Sequence, residues 1–281
     1  MNDKTVRAEH LPIDKLRSFA GNPFQVRNDD EMEQLVFSIL TQGVLTPVMV
    51  RPLENGEYEV ISGHRRVHAC KKAGINTVPA LIYCLDRDEA AIALVDSNLH
   101  RERILPSEKA FAYKLKMDAL SHQGKTSRQH GEKWSITQLS ESAEESERQV
   151  HRYIRLTYLI PEILRMVDDG KIALTPAVEL SHLTKQEQSD LLETMESEDC
   201  TPSLSQAIQM KRLSQAGELD IDSIFDILCQ PKANQIDKIS FRTEDLRKFF
   251  PKGYTAAQMA NDILKGLELL KRQRNRSRDA R

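Results

Sequence analysis

Two short segments of the chain carry the residue types needed to hold a phosphate group. The first runs from Ile61 to Ala69 (ISGHRRVHA) and passes from an apolar stretch through Gly63 into basic residues. Glycine allows close approach of the backbone to a ligand, and helix N-terminal amides with arginine side chains bind anions. This segment therefore predicts a phosphate site, with a solvated basic helix as the alternative.

The second segment, Ser97 to Ala110 (SNLHRERILPSEKA), has the same character. Asn98 carries a carbonyl oxygen that suits a hard metal ion, and Arg101 has a planar fork that fits phosphate. On its own, each segment is better explained as a solvated basic helix. The two together, in this order, make the phosphate interpretation worth testing.

A third pattern, over Ser135–Leu156, predicts a helix-turn-helix. Ser146 is a good N-cap for its second helix, which places four polar residues on one face: Arg148, Gln149, Arg152 and Arg155. Arginine and glutamine have the donors that suit guanine and adenine edges, so this face predicts DNA reading. The alternative is an ordinary pair of packed helices. The turn reads Ala143-Glu144-Glu145, where glycine is common, and nearby acids would repel phosphate unless they point away.

The elements that must position these residues alternate in type over the first hundred residues. Helical spacing after Asp29-Asp30 predicts a helix that Gly43 ends. Three strands are predicted at Thr46–Pro52, Glu57–Ile61 and Val78–Tyr83, with a helix from His64 to about Ala73 before the third. Residues 9–21 fit a short strand or a turn.

From Pro106 to about Leu213 nearly every segment has helical periodicity. Polar stretches at Ser121–Lys133 and 216–238 are predicted to be linkers. Further on, a strand is predicted at Ile239–Phe241 and an amphipathic helix at Thr255–Arg272. The sequence thus predicts an α+β N-terminal domain, an all-α helix-turn-helix domain, and a small C-terminal segment of helix with one strand.

Composition limits the function classes. The net charge of the 281-residue chain is −2, so DNA contact must come from local basic patches such as Lys271–Arg281. No apolar run approaches the roughly 18 residues that span a bilayer, and the N-terminus lacks a secretory apolar region. We therefore expect a cytoplasmic protein without a membrane partner. Its four scattered cysteines form no CxxC pair, which disfavours a zinc ribbon or a disulfide framework.

Taken in order, these motifs resemble the ParB family of partition proteins. That family has a GERRxRA box and an ENxxR…LxPxEEA box around a nucleotide pocket, followed by a helix-turn-helix. The present chain has TPVMVRP, then GHRRVHA, SNLHRERILPSEKA and the helix-turn-helix, with LIPEILRMVDDGKIALTPAVEL after it. The resemblance covers about residues 9–215. It implies a ParB/sulfiredoxin-like fold for the N-terminal domain.

The resemblance also implies a function: a protein that binds CTP with Mg²⁺, closes as a clamp around double-stranded DNA, and starts from a parS-like site. The nucleotide-binding residues carried over are Thr46, Gly63, His64, Arg65, Arg66, Asn98 and Arg101, with Asn98 also on the metal. The DNA-binding residues are Ser146, Arg148, Gln149, Arg152 and Arg155. No catalytic residue is assigned.

Departures from the family boxes bear on hydrolysis. The glutamate of GERR is His64 here, the last arginine of that box is His68, and the glutamate of ENxxR is Ser97. Neutral imidazole and hydroxyl groups are poor substitutes for carboxylates on Mg²⁺. The chain is thus predicted to bind a cytidine nucleotide, whereas hydrolysis is doubtful.

The domains predicted on this basis are 1–105 for nucleotide binding, 106–215 for DNA binding, 216–238 as linker and 239–281 for dimerisation with a basic tail. A homodimer in the nucleoid is expected, and a ParA-type ATPase is a further candidate partner. Two other functions stay open. One is a site-specific transcriptional regulator or nucleoid-associated factor of a mobile element that does not hydrolyse nucleotide. The other is an enzyme such as a nuclease or a sulfiredoxin-like phosphotransferase.

Overall fold

The computed structural model describes residues 6–99, 101, 103–123, 128–230, 248–251 and 253–279, in two compact units, 1–230 and 231–281. The strands are β1 (Arg7–Pro12), β2 (Leu16–Ser18), β3 (Val48–Pro52), β4 (Tyr58–Ser62) and β5 (Thr77–Ile82). The α-helices are α1 (Asp30–Gln42), α2 (His64–Lys72), α3 (Arg87–Leu99), α4 (Pro106–Gln123), α5 (Arg128–Ala143), α6 (Glu147–Leu156), α7 (Pro161–Asp168), α8 (Leu174–Leu180), α9 (Lys185–Ser197), α10 (Leu204–Ala216), α11 (Ile221–Leu228) and α12 (Ala256–Asp279).

The five strands form one mixed sheet in the order β1-β5-β3-β4-β2. β1 pairs with β5 and β3 with β4 antiparallel, whereas β3 with β5 and β2 with β4 are parallel. Side chains alternate between the two faces of a strand. Val60 therefore packs in the core with α1 and α2, and the next residue, Ile61, packs in the core with α3. The predicted α+β N-terminal domain is confirmed.

Helix α4 joins the sheet to the helices that follow it, because it is buried on several sides. Ala112 packs in the core with α3, Tyr113 in the core with α5 and α6, and Ala110 in the core with α7 to α11. Successive residues of a helix point in different directions, so these three side chains give α4 buried contacts on several sides. The helical region predicted after the first domain is confirmed, and α4 is the element that holds the helix-turn-helix against the sheet.

Two stretches predicted as linkers contain helix. Within Ser121–Lys133, α4 continues to Gln123 and α5 begins at Arg128, and residues 124–127 lie outside the described ones. Within 216–238, α11 packs Ile224, Ile227 and Leu228 into the core. The i, i+3, i+4 spacing of these residues by itself indicates a helix. The polar residues on either side led to the prediction of a linker instead. Residues 231–247, with the predicted strand Ile239–Phe241, lie outside the described residues.

The turn before α6 has the backbone shape that glycine usually supplies. Glu144 is exposed and has φ +54°, a left-handed conformation that costs an L-residue roughly 1–2 kcal/mol. We expect Glu144→Gly to raise the free energy of unfolding by about 0.5–1 kcal/mol. Glu141→Gly, a matched loss of charge inside α5, should lower it by about 1 kcal/mol. Urea unfolding of both variants checks this, and a less stable Glu144→Gly protein would contradict it.

The C-terminal unit is dominated by α12, which confirms the helix predicted at Thr255–Arg272. Thr255 starts it by accepting a hydrogen bond from the Gln258 amide at 3.3 Å while the Gln258 side chain accepts from the Thr255 amide at 2.9 Å. Of the predicted apolar stripe, Met259 is 6% exposed, whereas Leu267 and Leu270 are 56% and 52% exposed. Dimerisation through this helix stays a prediction. The side chains of the basic tail beyond Lys271 lie outside the described residues.

Candidate nucleotide cleft and DNA interface

Gly63 connects β4 to α2 in a conformation that only glycine adopts without strain. Its φ is +99°, and a Cβ there would lie 2.8 Å from Cγ1 of Val48 and 3.2 Å from the Arg66 guanidinium. Both the dihedral angle and the space exclude a side chain. The turn therefore brings the amino end of α2, with its basic residues, directly against β3.

Beside this turn lies a cleft of about 660 Å³, which we call the arginine cleft. Its polar lining consists of four arginines, three carboxylates and one amide: Arg27, Arg65, Arg101, Arg103, Asp29, Glu31, Glu108 and Gln25. The predicted phosphate ligands Arg65 and Arg101 thus come from the two separate boxes and meet in one cleft. Several guanidinium groups around one open space form a site for a highly charged anion such as a triphosphate.

Arg65 is already paired within the cleft. One of its terminal nitrogens lies 3.0 Å from Asp29 Oδ1 and 3.3 Å from Glu31 Oε2. Asp29 also caps α1 by accepting from the Met32 amide at 2.9 Å. An incoming phosphate must therefore compete with two carboxylates for this guanidinium.

Arg101 and Asn98 lie where the second box leaves α3. The Arg101 guanidinium lies 5.5 Å from the ring centroid of Phe24, close enough for a cation–π contact. Asn98 is 4% exposed and donates through Nδ2 to the Leu94 carbonyl at 2.7 Å and to Ser97 Oγ at 3.1 Å. Its amide oxygen Oδ1 is the atom able to accept a metal ion, but Asn98 is not among the residues that line the arginine cleft.

Arg66 and Thr46 border a different space. The Arg66 guanidinium donates to the Thr46 carbonyl and, at 2.7 Å, to the Pro47 carbonyl. Both residues line a cavity of about 300 Å³, and Leu35 lines this cavity as well as the arginine cleft. Arg66 thus fixes the 46–47 loop at the edge of the cleft, rather than converging with Arg65 and Arg101 as the sequence predicts.

His64 is held neutral. Burial, and secondly the positive charge of Arg101, lower its pKa to about 4, and its Nε2 is shut off from solvent with no hydrogen-bond partner. His64 and His68 line a smaller cavity of about 190 Å³. His68 Nε2 lies 2.9 Å from Asn28 Oδ1. A neutral imidazole with a buried nitrogen is a poor replacement for a carboxylate beside a metal ion.

The lowered pKa of His64 predicts an acid sensitivity. The unfolded chain takes up this proton near pH 6.5 and the folded chain only near pH 4, so stability falls as the pH drops through that window. We expect His64→Gln to retain more of its pH 7.5 stability at pH 4.5 than the wild type does, by about 1–3 kcal/mol. Urea unfolding at both pH values tests this. Parallel losses in the two proteins would contradict it.

Sequence reasoning missed the wall formed by Gln25, Arg27 and Asp29. These alternate residues line the cleft, while Val26 lines the smaller cavity and Asn28 bonds His68. The segment reads Gln-Val-Arg-Asn-Asp, in which only Val26 is apolar, so no period-two alternation of apolar and polar residues marks it in the sequence. Arg103 and Glu108, also in the cleft, lie inside the second box but carried no predicted role.

The recognition helix α6 begins as predicted. Ser146 Oγ accepts from the Gln149 amide at 3.2 Å. Arg148 is exposed, whereas Gln149 and Arg152 are half-buried and joined, with Arg152 donating to Gln149 Oε1 at 3.0 Å and to Thr175 Oγ1 at 2.6 Å. These three side chains lie together near the first two turns of the helix, the position that reads base edges in helix-turn-helix proteins.

Arg155 is engaged inside the protein. Its Nε donates to Ser181 Oγ at 3.1 Å and a terminal nitrogen donates to the Ser181 carbonyl at 2.8 Å. The guanidinium also stacks 4.5 Å from the ring centroid of Tyr158. These contacts tie α6 to the end of α8, which is a structural role and differs from the DNA contact predicted for this residue.

Two of the acidic side chains around the turn interact with neighbouring side chains. Glu145 forms an ion pair with Lys109 of α4, and Glu147 accepts from Thr137 Oγ1 at 2.6 Å. The ion pair offsets the charge of Glu145, whereas the hydrogen bond fixes the side chain of Glu147 and leaves its negative charge. The side chain of Glu132 lies outside the described residues.

Cys70 gives no support to redox chemistry. It is fully buried, and burial raises the pKa of its thiol, which disfavours the reactive thiolate. The structure describes all four cysteines, and none of them forms a disulfide bond. In the part of the chain that the structure describes, no three or more His, Cys, Asp or Glu side chains are grouped to hold a metal ion. Over the same ranges, none of the helices combines the length and apolarity needed to cross a membrane.

An arginine cleft on a small α+β domain, followed by a helix-turn-helix, defines a class of protein that joins an anion-binding module to a DNA-binding fold. Residues 1–99 match the family model of the ParB N-terminal domain. The first third of the chain is therefore similar to the ParB N-terminal domain, the family that its motifs resemble.

Three relatives illustrate the similarity. The chain is 38% identical over 119 residues to a nucleoid occlusion protein of Geobacillus kaustophilus, covering 40% of this chain and 41% of the relative. It is 27% identical over 254 residues to a nucleoid occlusion protein of Listeria innocua, covering 87% of this chain and 88% of the relative. Truncated ParB of Caulobacter crescentus, complexed to the parS site, is 20% identical with a TM-score of 0.44, covering 78% of this chain and 98% of that one. The structure of the same truncated ParB complexed with CTP-γ-S is 23% identical with a TM-score of 0.32, covering 68% of this chain and 99% of that one.

Proposed function

We propose that the protein is a sequence-specific DNA-binding partition or nucleoid-occlusion protein whose hold on DNA is controlled by CTP. The observation that carries this proposal is the meeting of Arg65 and Arg101 in one cleft, within a unit that also presents Gln149 and Arg152 on a recognition helix. Helix α4 packs against both modules, so a change at the cleft has a direct route to the DNA-reading face.

In this proposal the triphosphate lies in the arginine cleft against Arg65 and Arg101, with the backbone at Gly63 in close approach. The adjoining cavity at Thr46 and Arg66 receives the base, because Leu35 borders both spaces. Mg²⁺ fits here only if the phosphates supply most of its ligands, with Asn98 Oδ1 as the protein ligand. When bound, the ion would neutralise phosphate charge. Slow hydrolysis or none follows from His64 and Ser97 standing where the family boxes have glutamates.

The remaining assignments share this basis. The exposed apolar face of α12 favours a homodimer, and two-fold symmetry would match a palindromic DNA site. The boundaries at residues 105, 215 and 238, the nucleoid location and a ParA-type partner belong to the same proposal. The names of the Geobacillus and Listeria relatives support a place on the nucleoid.

The alternative is a site-specific regulator that binds DNA without responding to nucleotide. Two measurements separate the functions. Immunoprecipitation of DNA from the native cell identifies the site and shows whether the protein spreads from it. Titration of the purified protein with CTP, ATP and GTP, each with and without Mg²⁺, tests the cleft. We expect CTP to bind most tightly and to change the lifetime of the DNA complex. If none of the three nucleotides binds, the site-specific regulator is the function that remains.

A further inference from the structure

One wall of the arginine cleft is an extended segment, Asn22–Asp29, which we call the strap. It runs from the region after β2 to the start of α1 without regular secondary structure. At one end Asp29 pairs with Arg65 of α2 at 3.0 Å. Four residues earlier in the strap, the Gln25 amide donates to Glu108 Oε1 of α4 at 3.0 Å. The strap therefore links the two phosphate boxes.

Glu108 makes the second of these links with a carboxylate that is 6% exposed. Its other oxygen, Oε2, accepts from the Leu105 amide at 3.1 Å, which caps the first turn of α4. One side chain thus holds the backbone of the strap and the backbone of the second box at the same time. Leu105 and Gln25 are far apart in sequence, so no local rule positions them.

A buried negative charge in a cleft built for an anion needs an explanation. Electrostatics alone says that Glu108 weakens the binding of phosphate. Its two hydrogen bonds act in the opposite direction, because they fix the wall that carries Arg27 relative to the wall that carries Arg101. Preorganised ligands bind more tightly than mobile ones.

We propose that Glu108 is a positioning residue of the nucleotide cleft, which sets the spacing of its arginines through the strap. This inference rests on the proposed nucleotide binding. It predicts the sign of a charge-neutralising change. If positioning dominates, neutral Glu108→Gln binds triphosphate more weakly; if charge dominates, it binds more tightly.

The test uses the full-length protein with CTP and Mg²⁺. Glutamine keeps the shape of the side chain but presents an NH₂ group to one of the two amide donors, so one hydrogen bond is lost. We expect CTP affinity to fall about tenfold or more, equivalent to one hydrogen bond to a charged group. Amide hydrogen exchange at Gln25 and Leu105 should become faster. Affinity for cognate DNA without nucleotide should stay within about twofold of wild type, on the scale of surface changes.

A matched control separates positioning from loss of stability. Glu187 caps α9 with the same geometry, accepting from the Thr184 amide at 2.7 Å, and is outside the cleft lining. Glu187→Gln should lower the melting temperature to a similar extent and leave CTP affinity unchanged. CTP affinity that is unchanged or tighter in Glu108→Gln overturns the positioning role while the proposed function stands. A wild type that binds no nucleotide overturns both.

Discussion

Replacing Arg101 with alanine is expected to weaken CTP binding by about 30- to 100-fold. The guanidinium lies in the arginine cleft, 5.5 Å from the ring centroid of Phe24, and Arg101 is one of the two cleft arginines that come from the second box. Loss of a charge-assisted hydrogen bond to phosphate costs about 2–3 kcal/mol, which gives this factor. Titration with labelled CTP in the presence of Mg²⁺ measures the change.

Two control variants define the reason for that loss. Arg101→Lys keeps the charge but not the fork, so we expect an intermediate loss. Arg165→Ala removes an exposed arginine of α7 that pairs with Glu162 three residues away, and it should leave CTP affinity unchanged. Equal losses in Arg101→Ala and Arg165→Ala would mean that only overall charge matters, and that the cleft is not the site.

Arg66→Ala should also impair CTP binding, but by another route. Its guanidinium holds the Thr46 and Pro47 carbonyls, so its removal frees the loop that borders the cleft. We expect this variant, unlike Arg101→Ala, to lose thermal stability together with nucleotide affinity.

The second large effect is expected on the DNA-reading face. Gln149→Ala and Arg152→Ala should each reduce the preference for cognate over scrambled DNA by about 10- to 100-fold, since one base contact is worth roughly 1–3 kcal/mol. Arg152 is held in place by Gln149 and Thr175, so either change also loosens the pair. Fluorescence anisotropy with the immunoprecipitated site and a scrambled duplex, over a range of salt concentrations, gives the ratio.

Arg155→Ala is the matched control for the second experiment. It removes the same charge from the same helix, but its guanidinium is bonded to Ser181 and stacked on Tyr158. We expect it to reduce stability and to keep sequence preference. Preserved preference in Gln149→Ala and Arg152→Ala would show that another surface reads the DNA.

Local signals in the sequence predicted the bounds of a helix or strand correctly where those bounds depend on neighbouring residues. The start of α1 at Asp30, with Asp29 as its cap, and its end at Gly43 follow from capping chemistry. The β-branched apolar run of β3 and the period-two alternation of β4 predicted strands within one or two residues of their observed bounds. Ser146 as the cap of α6 follows from the same rules.

The same rules failed where burial by distant residues decides the outcome. Helix α11 was predicted as linker because its polar flanks gave no sign of the core that receives Ile224 and Ile227. Arg155 was assigned to DNA because its spacing matches that of Arg148 and Arg152. Only the packing of α8 against α6 shows that this arginine is engaged within the protein.

By itself, the sequence predicted helices α1 and α2, strands β3 to β5, the two phosphate boxes, the helix-turn-helix and the resemblance to ParB, because these are encoded in residue types and short spacings. The tertiary structure decided which arginines share a cleft. It separated Arg66 from Arg65 and Arg101, added Arg27 and Arg103, and placed Glu108 against the strap. The physical reason is that the Gln25–Glu108 hydrogen bond spans 83 residues and the Asp29–Arg65 ion pair spans 36. Such contacts depend on where the sheet and α4 pack, which local propensity does not specify.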